Sequence, residues 1–154
     1  DMAEQFVRAT NVDSLAIAIG TSHGVYKNHT DNGKLRFDIL TQIQNRIPNT
    51  PLVLHGASNV PEHLVETINK FGGNITTSRG IDANQLQIAA TQTHICKINM
   101  DTDLRLSFTA GVRKSITQNP SGFNPREYLG AGRDMICNNC LYVIREITKS
   151  ENKI

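Results

Sequence analysis

Short unbroken apolar runs alternate along this chain with longer stretches in which apolar residues recur every three or four positions. The runs read as strands, the first of them as one buried on both faces, and the stretches as amphipathic helices. Glu4 to Ala9 reads as the end of a helix whose beginning is absent. Ser14 to Ile19 is the first strand; it ends at Gly20, and a polar loop from Thr21 to Gly33 follows. From about Leu35 to Ile47, the residues Leu35, Ile39, Leu40, Ile43 and Ile47 share one helical face, and Pro48 and Pro51 bracket the turn that ends the helix. The second strand, Leu52 to Leu54, leads through His55–Asn59 into a helix carrying Leu64, Val65, Ile68 and Phe71. Asn59 and Glu62 have capping-box spacing there, Pro61 sits near the first turn, and Gly72-Gly73 is the stop. Asp82 and Gln85, again three apart, open a helix that uses Leu86, Ala89 and Ala90. Ile95 to Met100 is the third strand, with Cys96 expected to pack as a small apolar residue. Asp101 to Asp103 then turn into a helix expected to bury Leu104, Phe108 and Val112 and to stop before Asn119-Pro120. Asn124 caps a last helix with Pro125 at its first position, and Met135, Ile136, Val143, Ile144 and Ile147 are available for packing.

Helices and strands alternate with no low-complexity stretch or linker between them, which predicts an α/β fold of parallel strands joined by right-handed helical crossovers. No Gly-x-Gly-x-x-Gly follows a strand, which argues against a dinucleotide-binding sheet. Every polar cluster instead follows the C-terminal end of a strand, where (β/α)8 barrels place their chemistry. Three strands leave two open edges, and a typical barrel takes ~250 residues. The expectation is therefore the later part of a (β/α)8 TIM barrel with C-terminal helices. Residues 1–154 would be the C-terminal portion of one barrel domain whose N-terminal part is absent.

Composition narrows the partners. Lys and Arg number 16 against 14 Asp and Glu, a formal charge of +2, and no basic run occurs, so no nucleic acid and no anionic membrane is expected to bind. The longest apolar run, Leu15 to Ile19, is far short of the ~20 residues of a membrane span, and the opening residues lack the order of a signal peptide. Three cysteines cannot close a disulfide framework, so a reducing, cytoplasmic setting is expected. Cys137-Asn138-Asn139-Cys140 has zinc-like spacing but no second pair and sits inside a helical pattern. His29, His63 and His94 read as solvated or capping residues.

Three clusters carry candidate chemistry. Thr21–Lys27 combines His23, Gly24 and Lys27 directly after the first strand: an imidazole, a glycine that lets a ligand reach the backbone, and a cation. His55-Gly56-Ala57-Ser58-Asn59 enters a helix with small residues whose N–H groups suit an anion. Asn99-Met100-Asp101-Thr102-Asp103 with Arg105 stands at the start of another helix. Taken singly, these also suit a surface loop, a strand-to-helix turn and an N-cap at Asp101. Together they place two histidines just beyond the ends of strands about 4.8 Å apart, close enough to share a metal. Catalytic zinc takes three protein ligands, so a third would come from outside the segment.

The stretches Asp13–Gly24, Leu52–Ser58 and Lys97–Arg105, with Asn124–Leu129, closely resemble the class II, metal-dependent fructose-bisphosphate aldolases, in order and through nearly the whole chain. The resemblance implies a lyase of glycolysis and gluconeogenesis that splits fructose 1,6-bisphosphate into dihydroxyacetone phosphate and glyceraldehyde 3-phosphate. It implies Zn2+ on His23 and His55, and Na+ or K+ as a second ion. Gly24, Lys27, Gly56 and Ser58 would hold the phosphate of dihydroxyacetone phosphate, with Asp101 and Thr102 at the same end. Asn99 would touch the reacting three-carbon unit, and Arg105 and Arg126 would serve the second phosphate. In this family the C-terminal Arg can reach a partner subunit's site, which implies a homodimer or higher homo-oligomer. The catalytic Asp and the remaining zinc-binding His would lie upstream. Asn124 stands where the family usually has Asp, and Asn28–Gly33 and Thr76–Arg79 match no family signature. Tagatose 1,6-bisphosphate is the nearest alternative substrate; a non-catalytic sugar-phosphate-binding fragment is the reading from another class.

Overall fold

The computed structural model describes residues 2–20, 34–76 and 80–153. The elements run α1 (Met2–Thr10), β1 (Leu15–Ile17), α2 (Phe37–Arg46), β2 (Leu52–Leu54), α3 (Glu62–Lys70), α4 (Ala83–Gln92), β3 (Ile95–Ile98), α5 (Thr102–Gln118) and α6 (Pro125–Tyr142), followed by a π-helical turn, Val143–Ile147. The three strands form one parallel sheet in the order β1-β2-β3, with Leu15, Ala16 and Ile17 opposite Leu52, Val53 and Leu54. The expected α/β architecture with helical crossovers is observed, and it is the arrangement a segment of a (β/α)8 barrel presents.

Burial differs between the two faces of the sheet. Leu52, Ile17, Leu54 and Ile95 are buried in the larger core, with Leu40 and Ile47 from α2 and its end, Leu86 and Ala89 from α4, and Ile147. The opposite face carries Ala16, Val53 and Lys97 in register, and only Val53 of these is buried. The expectation that the first strand is covered on both faces is not met: Ala16 and Ala18 are exposed beside buried Ile17 and Ile19, while β2 is buried on both faces. The same position explains Cys96: it lies on edge strand β3 and is exposed, not packed, its thiol donating to the Leu52 carbonyl at 3.1 Å.

Helix starts follow local chemistry in two cases. Asp82 accepts the N–H groups of Asn84 and Gln85, and Asn124 accepts that of Arg126, as the cap spacing predicts. At α3 the expected Asn59 cap is not used: Pro61 is the cap residue and makes no side-chain bond, because the chain stays extended through Pro61 before it coils. In α5 the buried face is Thr102, Asp103, Leu106, Ser107, Ala110 and Gly111, with Leu104, Phe108 and Val112 only half-buried. The apolar stripe misled because α5 lies between α3, with Leu64, Ile68, Leu106 and Ala110 in a second core, and α6, which approaches too closely for large side chains. A Cβ on Gly111 would collide with the Ala131 carbonyl oxygen, and one on Gly132 would sit 2.7 Å from the Phe108 ring.

Candidate functional site

The sheet's C-terminal edge gathers the sequence clusters. His55 donates its N–H to the Ile17 carbonyl at 3.0 Å, and Asn99 donates to the Leu54 carbonyl at 3.0 Å, so the ladder continues one residue past each strand. Adjacent parallel strands are about 4.8 Å apart, which makes His55 and Asn99 lateral neighbours. By two-residue alternation they continue the face of Val53 and Lys97, the one that leaves Ala16 and Ala18 exposed. Both are half-buried.

After His55 the chain turns sharply at Gly56, whose φ of 66° is the left-handed region that favours glycine. The turn buries Gly56, Ala57 and Ser58, and the Ser58 carbonyl is held by the N–H of Ile81 at 3.2 Å. Ser58 Oγ accepts two backbone N–H groups at the start of α5, from Asp101 at 3.1 Å and Thr102 at 3.3 Å. A helix start leaves such donors without intrahelical partners, and here a hydroxyl from another loop satisfies them. The second and third clusters are thus one hydrogen-bonded unit.

Asp101 occupies the cap position of α5 but makes no side-chain cap bond. It faces Arg105 one turn on, with Nε–Oδ1 at 3.0 Å and a second guanidinium contact to Oδ2 at 2.9 Å; both side chains are largely exposed. Thr102 is buried beside it. Asp103, which stands in the third cluster without an assigned role, is 1 % exposed, and burial pushes its carboxyl above the usual range, while its own N–H, Asn139 and the Leu104 N–H oppose the shift. No pattern near Asp103 signals this; the cause is α6 lying against it.

Arg126 stands apart from this group. α5 and α6 are antiparallel, since Asp103 meets Asn139 and Gly111 meets Ala131. Arg126 is therefore level with Ile116, and at 1.5 Å of rise per residue that is about 22 Å along α5 from Asp101. Within one chain, Arg105 and Arg126 are not brought together. His23, Gly24, Lys27 and His29 lie outside the described residues, as do Thr77–Arg79. His63 and His94 are exposed, in keeping with solvated roles.

The edge that carries these groups is built from motifs spread over most of the chain, and the family model for class II fructose-bisphosphate aldolases matches residues 1–153. The chain belongs to that family. It is 43% identical over 164 residues to a fructose-bisphosphate aldolase of Treponema pallidum, covering 99% of this chain and 49% of the relative. A fructose-bisphosphate aldolase of a Nostoc species is 45% identical over 131 residues, covering 84% of this chain and 36% of its own length. One from Giardia intestinalis is 42% identical over 135 residues, covering 87% of this chain and 41% of its own. The class II aldolase segment thus spans half or less of the curated relatives it matches. One departure from the family pattern has a local explanation. Asn124 in place of Asp still caps α6, because either side chain offers the oxygen that the Arg126 N–H needs.

Class II aldolases are metal-dependent as a family. Among the described residues no three His, Cys, Asp or Glu side chains gather. His55 is a ligand of the type zinc takes, half-buried at a strand end, and a second would be His23 from the loop outside the described residues. Among the described residues no helix is long and apolar enough to cross a membrane.

Proposed function

We propose that the complete polypeptide carrying this segment is a zinc-dependent aldolase that cleaves fructose 1,6-bisphosphate to dihydroxyacetone phosphate and glyceraldehyde 3-phosphate, and condenses them in reverse, in the cytoplasm. What supports the reading is the junction of His55, Gly56–Ser58 and Asn99–Arg105 on one sheet edge, in a chain of this family.

A doubly phosphorylated sugar calls for anion sites at two ends and an electrophile between them. Gly56, with Gly24 and Lys27, lets backbone N–H groups and a cation approach one phosphate. Ser58 aligns the start of α5 so that the positive end of its dipole faces the same phosphate, with Thr102 and Asp101 at that end. Asn99, beside His55, orients the three-carbon unit. Arg105 serves the second phosphate. Because Arg126 lies about 22 Å along the helices from Asp101, Arg126 of the partner subunit is the copy that completes this end, in a homodimer or larger homo-oligomer. His23 and His55 would hold Zn2+ with a ligand from outside this segment. When bound, the ion supplies Lewis-acid polarisation of the ketone. The proton on the C4 hydroxyl is moved by an Asp that the rest of the polypeptide contributes. A monovalent Na+ or K+ is a second ion beside the phosphate-binding glycines.

The test is cleavage of fructose 1,6-bisphosphate by the full polypeptide before and after chelation. Activity should vanish with the chelator, return with Zn2+, and be lost in His55→Ala. Activity that survives complete metal removal would sink the reading. A faster rate on tagatose 1,6-bisphosphate would reassign the substrate.

A further inference from the structure

Asp103 is the one charged side chain among the buried polar residues described. Both oxygens are shut away from water: Oδ2 receives Asn139 Nδ2 at 3.4 Å, and Oδ1 has no hydrogen-bond partner among the described residues. A buried carboxyl with an unsatisfied oxygen costs free energy that an apolar residue would not. Its location offers a reason. It is the second residue of α5, next to Thr102 and two from Asp101, whose N–H groups are tied to Ser58. A carboxyl at the first turn of a helix is favoured by the helix dipole, and this one also reaches across to α6. Ser107 Oγ donates to the Asp103 carbonyl at 2.8 Å, one turn further along the same contact. Asn139 sits between Cys137 and Cys140, in the stretch whose spacing suggested a metal pair; its amide, not the thiols, makes the contact inward.

We propose that Asp103, bridged to Asn139 of α6, is a positioning residue that holds the first turn of α5 in the orientation in which Ser58 and Thr102 meet one phosphate of the bisphosphate and Arg105 meets the other. The proposal rests on the aldolase reading of the same site. Ser58 pins this turn from the strand side and Asp103 from the helix side. With either removed, the turn keeps one restraint, and Thr102 and Arg105 drift from the two phosphates they serve.

The experiment uses the full polypeptide, with Asp103→Ala, Asp103→Asn and Asn139→Ala. Asn139 lines a groove of about 560 Å³ between α3, α5 and α6, so truncating it enlarges a solvent-reached space and should leave the fold intact even if Asp103→Ala does not fold. Asp103→Ala and Asn139→Ala should raise KM for the bisphosphate about tenfold while kcat changes less than about threefold, and Asp103→Asn, which keeps the shape and the bridge, should stay within about twofold of wild type. A second readout needs no turnover: inorganic phosphate should raise the melting temperature of wild type and Asp103→Asn clearly more than that of the two alanine variants. Unchanged KM and undiminished phosphate protection in Asn139→Ala would overturn the proposal. A wild-type enzyme that cleaves neither sugar would overturn the aldolase reading alone, and the phosphate shifts would still decide the role of Asp103.

Discussion

Ser58 Oγ lies 3.1 Å from the backbone nitrogen of Asp101 and accepts its N–H, so a hydroxyl 43 residues upstream does the work of an N-cap for α5. Asp101 is thereby released from capping its own helix and pairs with Arg105 instead. This one bond joins the loop after β2 to the helix after β3.

Ser58→Ala would leave the Asp101 and Thr102 N–H groups without their acceptor in a site where Ser58 is 6% exposed. The expected loss is about 1–3 kcal/mol of stability, the range for a buried donor stripped of its partner. Urea denaturation reads it as a lower midpoint at unchanged slope. A midpoint equal to wild type would show that the helix start finds another acceptor.

The Asp101–Arg105 pair should behave in the opposite way. Its side chains are 66% and 78% exposed, and pairs of that kind contribute about 0–1 kcal/mol. Arg105→Ala should therefore leave stability nearly unchanged while raising KM for the bisphosphate, with a weaker dependence of KM on salt. A large stability loss with unchanged KM would assign the pair a structural role only.

Two glycines on α6 should respond with opposite signs. Gly132→Ala puts a methyl 2.7 Å from the Phe108 ring and 3.0 Å from Val112, and forcing the hairpin apart should cost about 1–3 kcal/mol. Gly130→Ala meets nothing within 4 Å among the described residues, and the better helix former should stabilise by up to about 1 kcal/mol. Thermal melting of both variants decides between this crossing and a looser one.

Asp103 should leave a mark on the pH dependence of stability. Its folded pKa is raised above the ordinary 3.8 by burial, so the folded state holds that proton more tightly than the unfolded chain. The contribution is fully present below pH 3.8 and is lost as pH rises through the folded value. Asp103→Asn should consequently be at least as stable as wild type at neutral pH, with the advantage shrinking in acid. Asp38 works with the other sign: the Arg36 guanidinium holds it at about 2, so its small, exposed contribution is present above 3.8 and fades as pH falls through 2. Stability curves of the two proteins between neutral pH and acid check the difference, and an Asp103→Asn curve parallel to wild type would contradict the burial argument.

Local rules carried far along this chain. Asp82 and Asn124 cap helices because a cap acts on donors two or three residues away, within reach of sequence spacing. His55 and Asn99 come side by side only because the β2–β3 register shifts by one residue between Leu52 and Val53, which no local pattern signals. The same rules failed where burial depends on a neighbour. Ala16, Ala18 and Cys96 look like core residues by composition, yet within this segment they are exposed, because their burial depends on what packs beside them and not on their own pattern.

By itself, then, the sequence determined the order of elements, the parallel α/β class, the family and which clusters stand at strand ends, because periodicity, capping and motif spacing act over a few residues. It took the packing of the whole segment to make Ser58 cap a helix 43 residues away, to bury Asp103 against Asn139, and to carry Arg126 far from Arg105. Those outcomes depend on how closely α6 crosses α5 and which way it runs, and that is settled by the contacts Gly111 and Gly132 allow across the hairpin, not by any pattern within one segment.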